Sequence, residues 1–324
     1  MKIAFITGIT GQDGSYLAEY LLQQGYQVVG LDIDLSAEKL AHLKDVEDQI
    51  TFIEGDLNNN ELIRYVVATH KPDEIYNFAS ISFVPSSWDS INNNIDINAK
   101  AVANLLEAIR LINPGTRIYQ ASSSEMFGIP KEVPQNITTP LAPRNPYAAA
   151  KAFAHWLIDC YRSIYNIYAV SGILYNHESP RRPQHFVTRK ITSNVAKIKM
   201  GLLDQLPLGN LDAKRDWGFA GDYVKAMWLM LQQSHPEDYV IGTGKLHTVR
   251  ELCDLAFSHV GLDYQDYVVQ DPKYYRQIEH YDLVPDISRA KEVLGWEPEM
   301  DFPTLIQNMV ENDLDLVKKH PQGS

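Results

Sequence analysis

The chain has 324 residues, 45% of them apolar, and a formal charge of −12 from 41 acidic and 29 basic side chains. That length exceeds what a single hydrophobic core usually organises, so one large α/β unit with a smaller lobe is expected. The acidic balance argues against a general nucleic-acid or membrane-surface binder, and a phosphorylated ligand would need local basic clusters.

The apolar run Ile3-Ala4-Phe5-Ile6 reads as a buried strand, and Thr7 to Leu17 follow it with glycines at 8, 11 and 14. A helix then carries apolar pairs at Tyr16/Leu17 and Tyr20/Leu21, one turn apart. Glycines here let the backbone turn tightly, approach a pyrophosphate and pack helix on strand, while the helix N-terminus offers free N–H groups. A glycine-rich turn with no ligand would look similar; its place between strand and helix favours a dinucleotide turn formed by Gly8, Thr10, Gly11, Gln12, Asp13 and Gly14. The next strand, Gln27 to Asp32, ends in a carboxylate 18 residues after Gly14, near the ~20 expected for the acid that binds the adenosine ribose hydroxyls. That favours NAD over NADP, and no arginine or lysine stands between Gly25 and Ala37 to receive a 2′-phosphate. The alternative is that Asp32 and Asp34 cap the loop before a helix at Ser36.

Further strand-like runs are Thr51 to Glu54, Glu74 to Asn77, Arg117 to Ala121 and Tyr168 to Gly172, separated by stretches of helical period. Such alternation predicts a Rossmann-like, doubly wound parallel sheet, with ligand contacts at the strand C-termini. Asp56 and Leu57 follow the third strand; Asp56 could accept from an adenine amino group or N-cap the helix starting near Asn59. After Gly172, prolines at 180, 183 and 207 accompany Arg181, Arg182, Arg189, Lys190, Lys197, Lys199, Lys214 and Arg215. Asp222 to Gln233 returns to a helix, Asp238 to Gly242 reads as one more strand and Val249 to Val260 as another helix. The expected division is a dinucleotide-binding domain of 1–172 plus roughly 218–243, interleaved with a ligand-binding lobe of roughly 173–217 and 244–324. Cys160 and Cys253 read as reduced, packed thiols, and no metal-spaced motif is present. No signal peptide and no span of about twenty apolar residues is visible, so a cytoplasmic protein is expected.

Tyr147 and Lys151 stand four residues apart, on one face of a helix whose first turn suits Pro146. A tyrosine used as a base at neutral pH needs its pKa near 10 lowered by roughly three units, about 4 kcal/mol, which a lysine cation and a nicotinamide cation together can supply. Upstream, Ser122-Ser123-Ser124-Glu125 follows a strand; the hydroxyls can bind a sugar hydroxyl and the carboxylate can act as acid or base. The plainer alternative is a serine-capped turn with a solvated Glu125.

The glycine turn, Ser-x-Glu and Tyr-x-x-x-Lys together resemble the extended short-chain dehydrogenase/reductase superfamily. Longer strings resemble one branch of it, the GDP-mannose 4,6-dehydratases: Thr10 to Leu17, Asn145-Pro146-Tyr147, Asn176 to Arg182, Phe186 to Ile191 and Leu208 to Gly218. The resemblance implies an internal redox cycle on a GDP-hexose that yields a 4-keto-6-deoxy sugar. Tyr147 would take the C4 hydroxyl proton, Glu125 would remove the C5 proton and assist loss of the C6 hydroxyl, and Ser123, where the family usually has threonine, would donate to the C4 oxygen. Asn176, Arg182, Lys190, Arg215 and Arg276, with Glu279, would contact the nucleotide diphosphate. His177 and His185 read as structural histidines rather than proton carriers. Two departures stand out. The family typically uses NADP and carries an arginine pair after the second strand that also helps build a tetramer; here Asp32 to Ser36 lacks it, so NAD and a homodimer are expected, with NADP and a tetramer the alternatives. The loop Ser80 to Trp88 also differs from the family's usual loop beside the sugar, which leaves room for a different nucleotide sugar, or for a 4-epimerase or 4-keto reductase that would not need Glu125.

Overall fold

The computed structural model of the protein describes residues 1–275 and 282–319. In its first half, β1 (Ile3–Thr7), α1 (Gln12–Gln23), β2 (Gln27–Asp32), β3 (Ile50–Glu54), α2 (Asn60–His70), β4 (Glu74–Asn77), α3 (Ile91–Ile95), α4 (Ala101–Ile112) and β5 (Arg117–Ser123) alternate as expected. They are followed by α5 (Pro146–Tyr165), β6 (Ala169–Leu174), β7 (Asn176–Glu178), α6 (Val187–Lys199), β8 (Leu206–Leu208), β9 (Lys214–Phe219), α7 (Ala220–Gln232), β10 (Tyr239–Ile241), β11 (Leu246–Thr248), α8 (Val249–His259), β12 (Val268–Gln270) and α9 (Phe302–Lys319). Seven strands form one parallel sheet in the order β10-β6-β5-β4-β1-β2-β3. The order reverses between β1 and β4, and the crevice at such a reversal is where open α/β sheets bind ligands.

The central strands read as nearly continuous apolar runs because both faces of the sheet are covered. One face carries Leu17, Ala18 and Leu21 of α1 with Val224, Met227 and Met230 of α7. The other carries Ile63 and Val67 of α2, Val102, Leu105 and Ile109 of α4, and Ile158 of α5. A third cluster binds α6, α8 and α9 around Trp217 and the two small sheets, β11-β9-β7 and β12-β8. It is pinned by a buried ion pair between Arg189 and Asp313, with Thr192 Oγ1 donating to the same carboxylate at 2.7 Å.

Three local expectations change. No helix begins at Ser36: Asp34 accepts from the Ser36 N–H at 2.9 Å, and only two 3₁₀ turns, Lys39–His42 and Glu47–Gln49, form between it and β3. Cys160 is exposed on α5 rather than packed, because its position falls on the helix face turned away from the sheet, whereas Cys253 is buried. β5 runs two residues beyond Ala121, so that Ser123 still pairs in the sheet with Leu174.

The turn after β1 depends on close backbone approach. A Cβ on Gly14 would lie 2.6 Å from Ile9 Cα and overlap Gly8 O, and one on Gly8, at φ +69°, would lie 2.8 Å from the Ala79 nitrogen. Gly14→Ala is therefore expected to cost the ~1–3 kcal/mol of stability typical of overpacking, seen as a lower thermal midpoint, and to weaken dinucleotide binding. A thermal melt and a binding titration indistinguishable from the parent's would refute that account of the turn.

Candidate active site

A cleft of about 1610 Å³ runs along the C-terminal ends of the central strands and is walled on its far side by β7, the start of α6 and the segment leading into β9. On the sheet side, Gly8, Thr10, Gly11, Gln12, Asp13 and Gly14 line it, as do Asp32, Asp56 and Leu57. Gly11 sits at the N-cap of α1 with extended backbone and no side chain to cap the first turn. A helix start of that kind leaves N–H groups for an anion. Asp32 is fixed at the end of β2: its Oδ2 accepts from Thr10 N at 3.0 Å and Thr10 Oγ1 at 2.8 Å, and its Oδ1 from Ile33 N at 2.9 Å. Asp56 does not cap α2; its Oδ1 accepts from Asn58 N at 2.8 Å, and Asn59 is the N-cap, accepting from Leu62 N at 3.1 Å. The Gln12 side chain turns toward the second lobe, donating to His177 O at 3.0 Å.

At the centre of the cleft, Asn145 caps α5 through Ala148 N at 2.8 Å, and Pro146 occupies the first turn. The same Asn145 donates from Nδ2 to Glu125 Oε2 at 3.2 Å, so one residue both starts the helix and orients the carboxylate. Tyr147 and Lys151 are both buried and face the cleft one turn apart, with Lys151 Nζ 5.7 Å from the Tyr147 ring centre. Lys151 donates to Ala121 O at 2.9 Å. Ser123 accepts from Glu125 N at 3.3 Å and lies close to the Tyr147 phenol. Burial pushes that phenol up to about 12; the Ser123 hydroxyl pulls the other way and the Glu125 charge adds to the rise. Burial also brings the Lys151 ammonium down to about 8, opposed by the Asp13 charge.

On the far wall, Asn176, Arg182, Lys190 and Arg215 all line the cleft. Arg182 lies 3.1 Å from Glu178 and its guanidinium carbon 3.6 Å from the Phe186 ring centre, and Lys190 donates to Pro207 O at 2.7 Å. Arg276 and Glu279 fall outside the described residues. The basic stretch is not uniformly a ligand cluster: Arg181 pairs with Glu19 at 2.7 Å over the Tyr16 ring, and Arg189 is committed to Asp313. His185 packs edge-on against Phe83 at 4.6 Å, tying the loop after β4 to the entrance of α6. That loop is held from below by Ser80 Oγ donating to Asn98 Oδ1 at 2.6 Å and Asn98 Nδ2 donating to Ile81 O at 3.2 Å. Asn98 reaches it from a π-helical turn, Asp96–Lys100, between α3 and α4.

Sequence reasoning passed over Asp216. Its carboxylate accepts from Thr243 Oγ1 at 2.9 Å and from the backbone N–H groups of Thr243, Gly244 and Lys245 at 2.9, 2.7 and 3.2 Å. It thereby ties β9, next to Arg215, to the loop leaving β10 of the large sheet. Burial raises it to about 6 despite those donors. The only signal was its place inside the long string from Leu208 to Gly218, because nothing in the local pattern shows that a loop thirty residues away supplies the donors.

Residues 5–309 match the family model described as GDP-mannose 4,6 dehydratase. The chain is 48% identical over 330 residues to GDP-mannose 4,6 dehydratase 1 of Arabidopsis thaliana, covering 98% of this chain and 91% of that protein. It is 43% identical over 350 residues to the GDP-mannose 4,6 dehydratase of Homo sapiens, covering 99% and 94%. Among solved structures, dTDP-glucose 4,6-dehydratase from Bacillus anthracis in complex with NAD superimposes with a TM-score of 0.84 at 25% identity, over 99% of this chain and 98% of that one. The sheet order, the uncapped glycine turn and a carboxylate held beside a buried Tyr-Lys couple thus agree with similarity that runs through both lobes: the chain belongs to the GDP-mannose 4,6-dehydratase family.

Proposed function

We propose that this protein converts GDP-mannose to its 4-keto-6-deoxy derivative with loss of water, using a bound nicotinamide dinucleotide, with NAD favoured over NADP. The observation that carries the reading is Glu125, positioned by Asn145 on the same stretch of cleft as Ser123, Tyr147 and Lys151. An epimerase or a simple 4-keto reductase has no use for a carboxylate there.

The glycine turn, Asp32, Asp56 and Lys151 would hold the dinucleotide, which when bound would supply the hydride acceptor for C4 and the hydride for C6. Tyr147 accepts the C4 hydroxyl proton while Ser123 donates to the C4 oxygen. Glu125 takes the proton at C5, made acidic by the adjacent ketone, and passes it to the departing C6 hydroxyl as water. C5 takes back one proton as C6 is reduced, equal to the one Tyr147 took from the C4 hydroxyl, so both side chains end as they began. A phenol at about 12 is a poor base. That value already includes Lys151; bringing it to neutral pH takes about five units, or about 7 kcal/mol, which a positively charged ring bound in the cleft would have to provide. Tyr147 is therefore armed only with oxidised cofactor in place.

The cations of the cleft are confined to one part of it. Among the described residues, the lysines and arginines that line it all come from position 144 onward, whereas the end formed by the turn, β2 and β3 presents Asp13, Asp32 and Asp56. The basic end suits a diphosphate, and the acidic end suits ribose hydroxyls and disfavours a 2′-phosphate. Arg182 and Arg215 are read as diphosphate contacts on this basis, with Asn176 and Lys190 beside them.

Apolar side chains left exposed on α4 and α5 support a homodimer. Phe153, Trp156 and Ile164 are 54%, 56% and 70% exposed, and Leu111 on α4 is 50% exposed. A second copy would cover this face and so press on the back of the helix that carries Tyr147.

Three measurements check these assignments. Mass spectrometry after incubation with GDP-mannose should show loss of one water, and Glu125→Gln should bind substrate as before yet lower that turnover by roughly 10²-fold or more; undiminished turnover would remove Glu125 as the base. Asp32→Ala should cut the NAD-over-NADP preference by about tenfold, the worth of one charge-assisted contact, and an unchanged ratio would assign the preference elsewhere. Phe153→Glu with Trp156→Glu should halve the mass seen by light scattering; a persistent dimer would move the interface to another face.

A further inference from the structure

The two strings that stand out beyond the glycines, Thr10 to Leu17 and Asn176 to Arg182, meet at one pair of side chains. Asp13 Oδ2 lies 2.8 Å from His177 Nε2, and His177 Nδ1 lies 2.8 Å from Tyr175 O. A backbone carbonyl can only accept, so Nδ1 carries a proton. An ionised carboxylate also only accepts, so Nε2 carries one as well, and the pair holds one proton more than a neutral imidazole with a carboxylate. Gln12 closes the arrangement: its Nε2 donates to Asp13 Oδ1 at 3.1 Å and to His177 O at 3.0 Å, and its Oε1 accepts from Ser179 Oγ at 2.8 Å. Tyr223 stacks on the imidazole with ring centres 4.8 Å apart. The Asp13 and His177 side chains are 19% and 11% exposed, and both line the cleft.

We propose that Asp13 and His177 are positioning residues: a carboxylate–imidazolium pair that ties the dinucleotide turn to the strand bearing Asn176 and sets the charge felt by Tyr147 and Lys151. The proposal rests on the reading of Tyr147 and Lys151 as the reacting couple. Asp13 faces His177 and Arg182 from the second lobe, Tyr119 from β5, and Tyr147 and Lys151 from α5. His177 faces Asp13 and Arg182, with Tyr223 of α7 against its ring. The mutual attraction holds the Asp13 carboxyl below the usual carboxylate range and His177 above the usual imidazole range, in both cases against the effect of burial. The Asp13 charge raises both Tyr147 and Lys151. This gives Asp13 a task other than touching the cofactor, and it gives His177 more than a packing role.

Asp13→Asn keeps the shape and the hydrogen bond to His177, since the new amide can donate to a neutral Nε2. It removes the anion together with the imidazolium, and of those two charges it is Asp13's that acts on Tyr147 and Lys151. Both limbs of the kcat–pH profile should then move to lower pH by about half a unit or more, with KM for GDP-mannose within about twofold and kcat at neutral pH lower by about tenfold. His177→Gln leaves Asp13 without its counter-charge, and both limbs should move to higher pH. Opposite displacements are the signature of an electrostatic role. Profiles that superimpose on the parent's, or that move the same way in both variants, would overturn it, and thermal melts check that both variants fold. Independently of turnover, ¹⁵N NMR of the purified protein at pH 7.5 should show both His177 ring nitrogens protonated, and a single protonated nitrogen in Asp13→Asn. A neutral His177 in the parent protein would sink the pair as described, whereas absent turnover with GDP-mannose in the parent would instead sink the functional reading.

Discussion

The geometry of the cleft is referred to one constraint, the contact of backbone with backbone at the turn after β1. Residues 8–9, the start of α1 a few residues on, and residues 78–79 some seventy residues on approach so closely that no side chain fits between them at Gly8 or Gly14. Because the approach is between main chains, it fixes where the first turn of α1 points and where β4 releases the loop toward Phe83. Thr7 adds a side-chain strut to the same junction, donating to Asn77 Oδ1 at 2.6 Å and accepting from the amides of Phe78 and Ala79 at 3.2 Å. The second lobe then docks onto this reference through Gln12 and Asp13, and through Arg181 with Glu19.

Burial works against the chemistry that the reacting groups must do. It makes the phenol of Tyr147 a weaker acid and the ammonium of Lys151 a stronger one. A protein that left the phenol in this condition would hold it neutral and idle, even with the Lys151 ammonium, at about 8, still mostly charged at neutral pH. The arrangement is effective only because charge can be introduced where water has been removed, and in a low-dielectric site an added cation acts far more strongly than in solution. Asp216 shows the same economy in a structural setting: four donors converge on a buried carboxylate and still leave it raised to about 6.

Much of the sheet was legible in the chain because its strands are short apolar runs ending in Gly, Asp, Asn or Ser, and because parallel strands buried on both faces need no subtle periodicity. The Tyr147–Lys151 couple was legible because a four-residue spacing on a helix is a purely local geometry. Less legible was everything decided by contacts between segments far apart in sequence. The cationic run after Gly172 looked homogeneous, yet Arg189 is consumed by Asp313, 124 positions away, while Arg182 faces the cleft. Asp13 read as part of a cofactor turn because its partner, His177, lies 164 residues on. Cys160 looked packed because a helix of high apolar content hides which face meets the sheet when the opposite face, with Phe153 and Trp156, is apolar too. Asn145 was visible as a motif, but its double task of capping α5 and holding Glu125 needed coordinates.

The uneven placement of charge in the cleft also bears on how a dianionic sugar nucleotide arrives. At long range the chain, with a net charge of −12, repels such a molecule. Within about one Debye length, roughly 8 Å at physiological ionic strength, the placement of individual charges counts for more than their sum, and the wall that carries Arg182 and Arg215 attracts the phosphates. Encounters are thereby filtered by orientation: a molecule presenting its phosphates to the wall with Arg182 and Arg215 is drawn in, while the N–H groups of the turn are left to the dinucleotide. Dissolved salt weakens the distant repulsion and the near attraction together, so the association rate should respond to ionic strength much less than either the net charge or the basic wall alone would suggest.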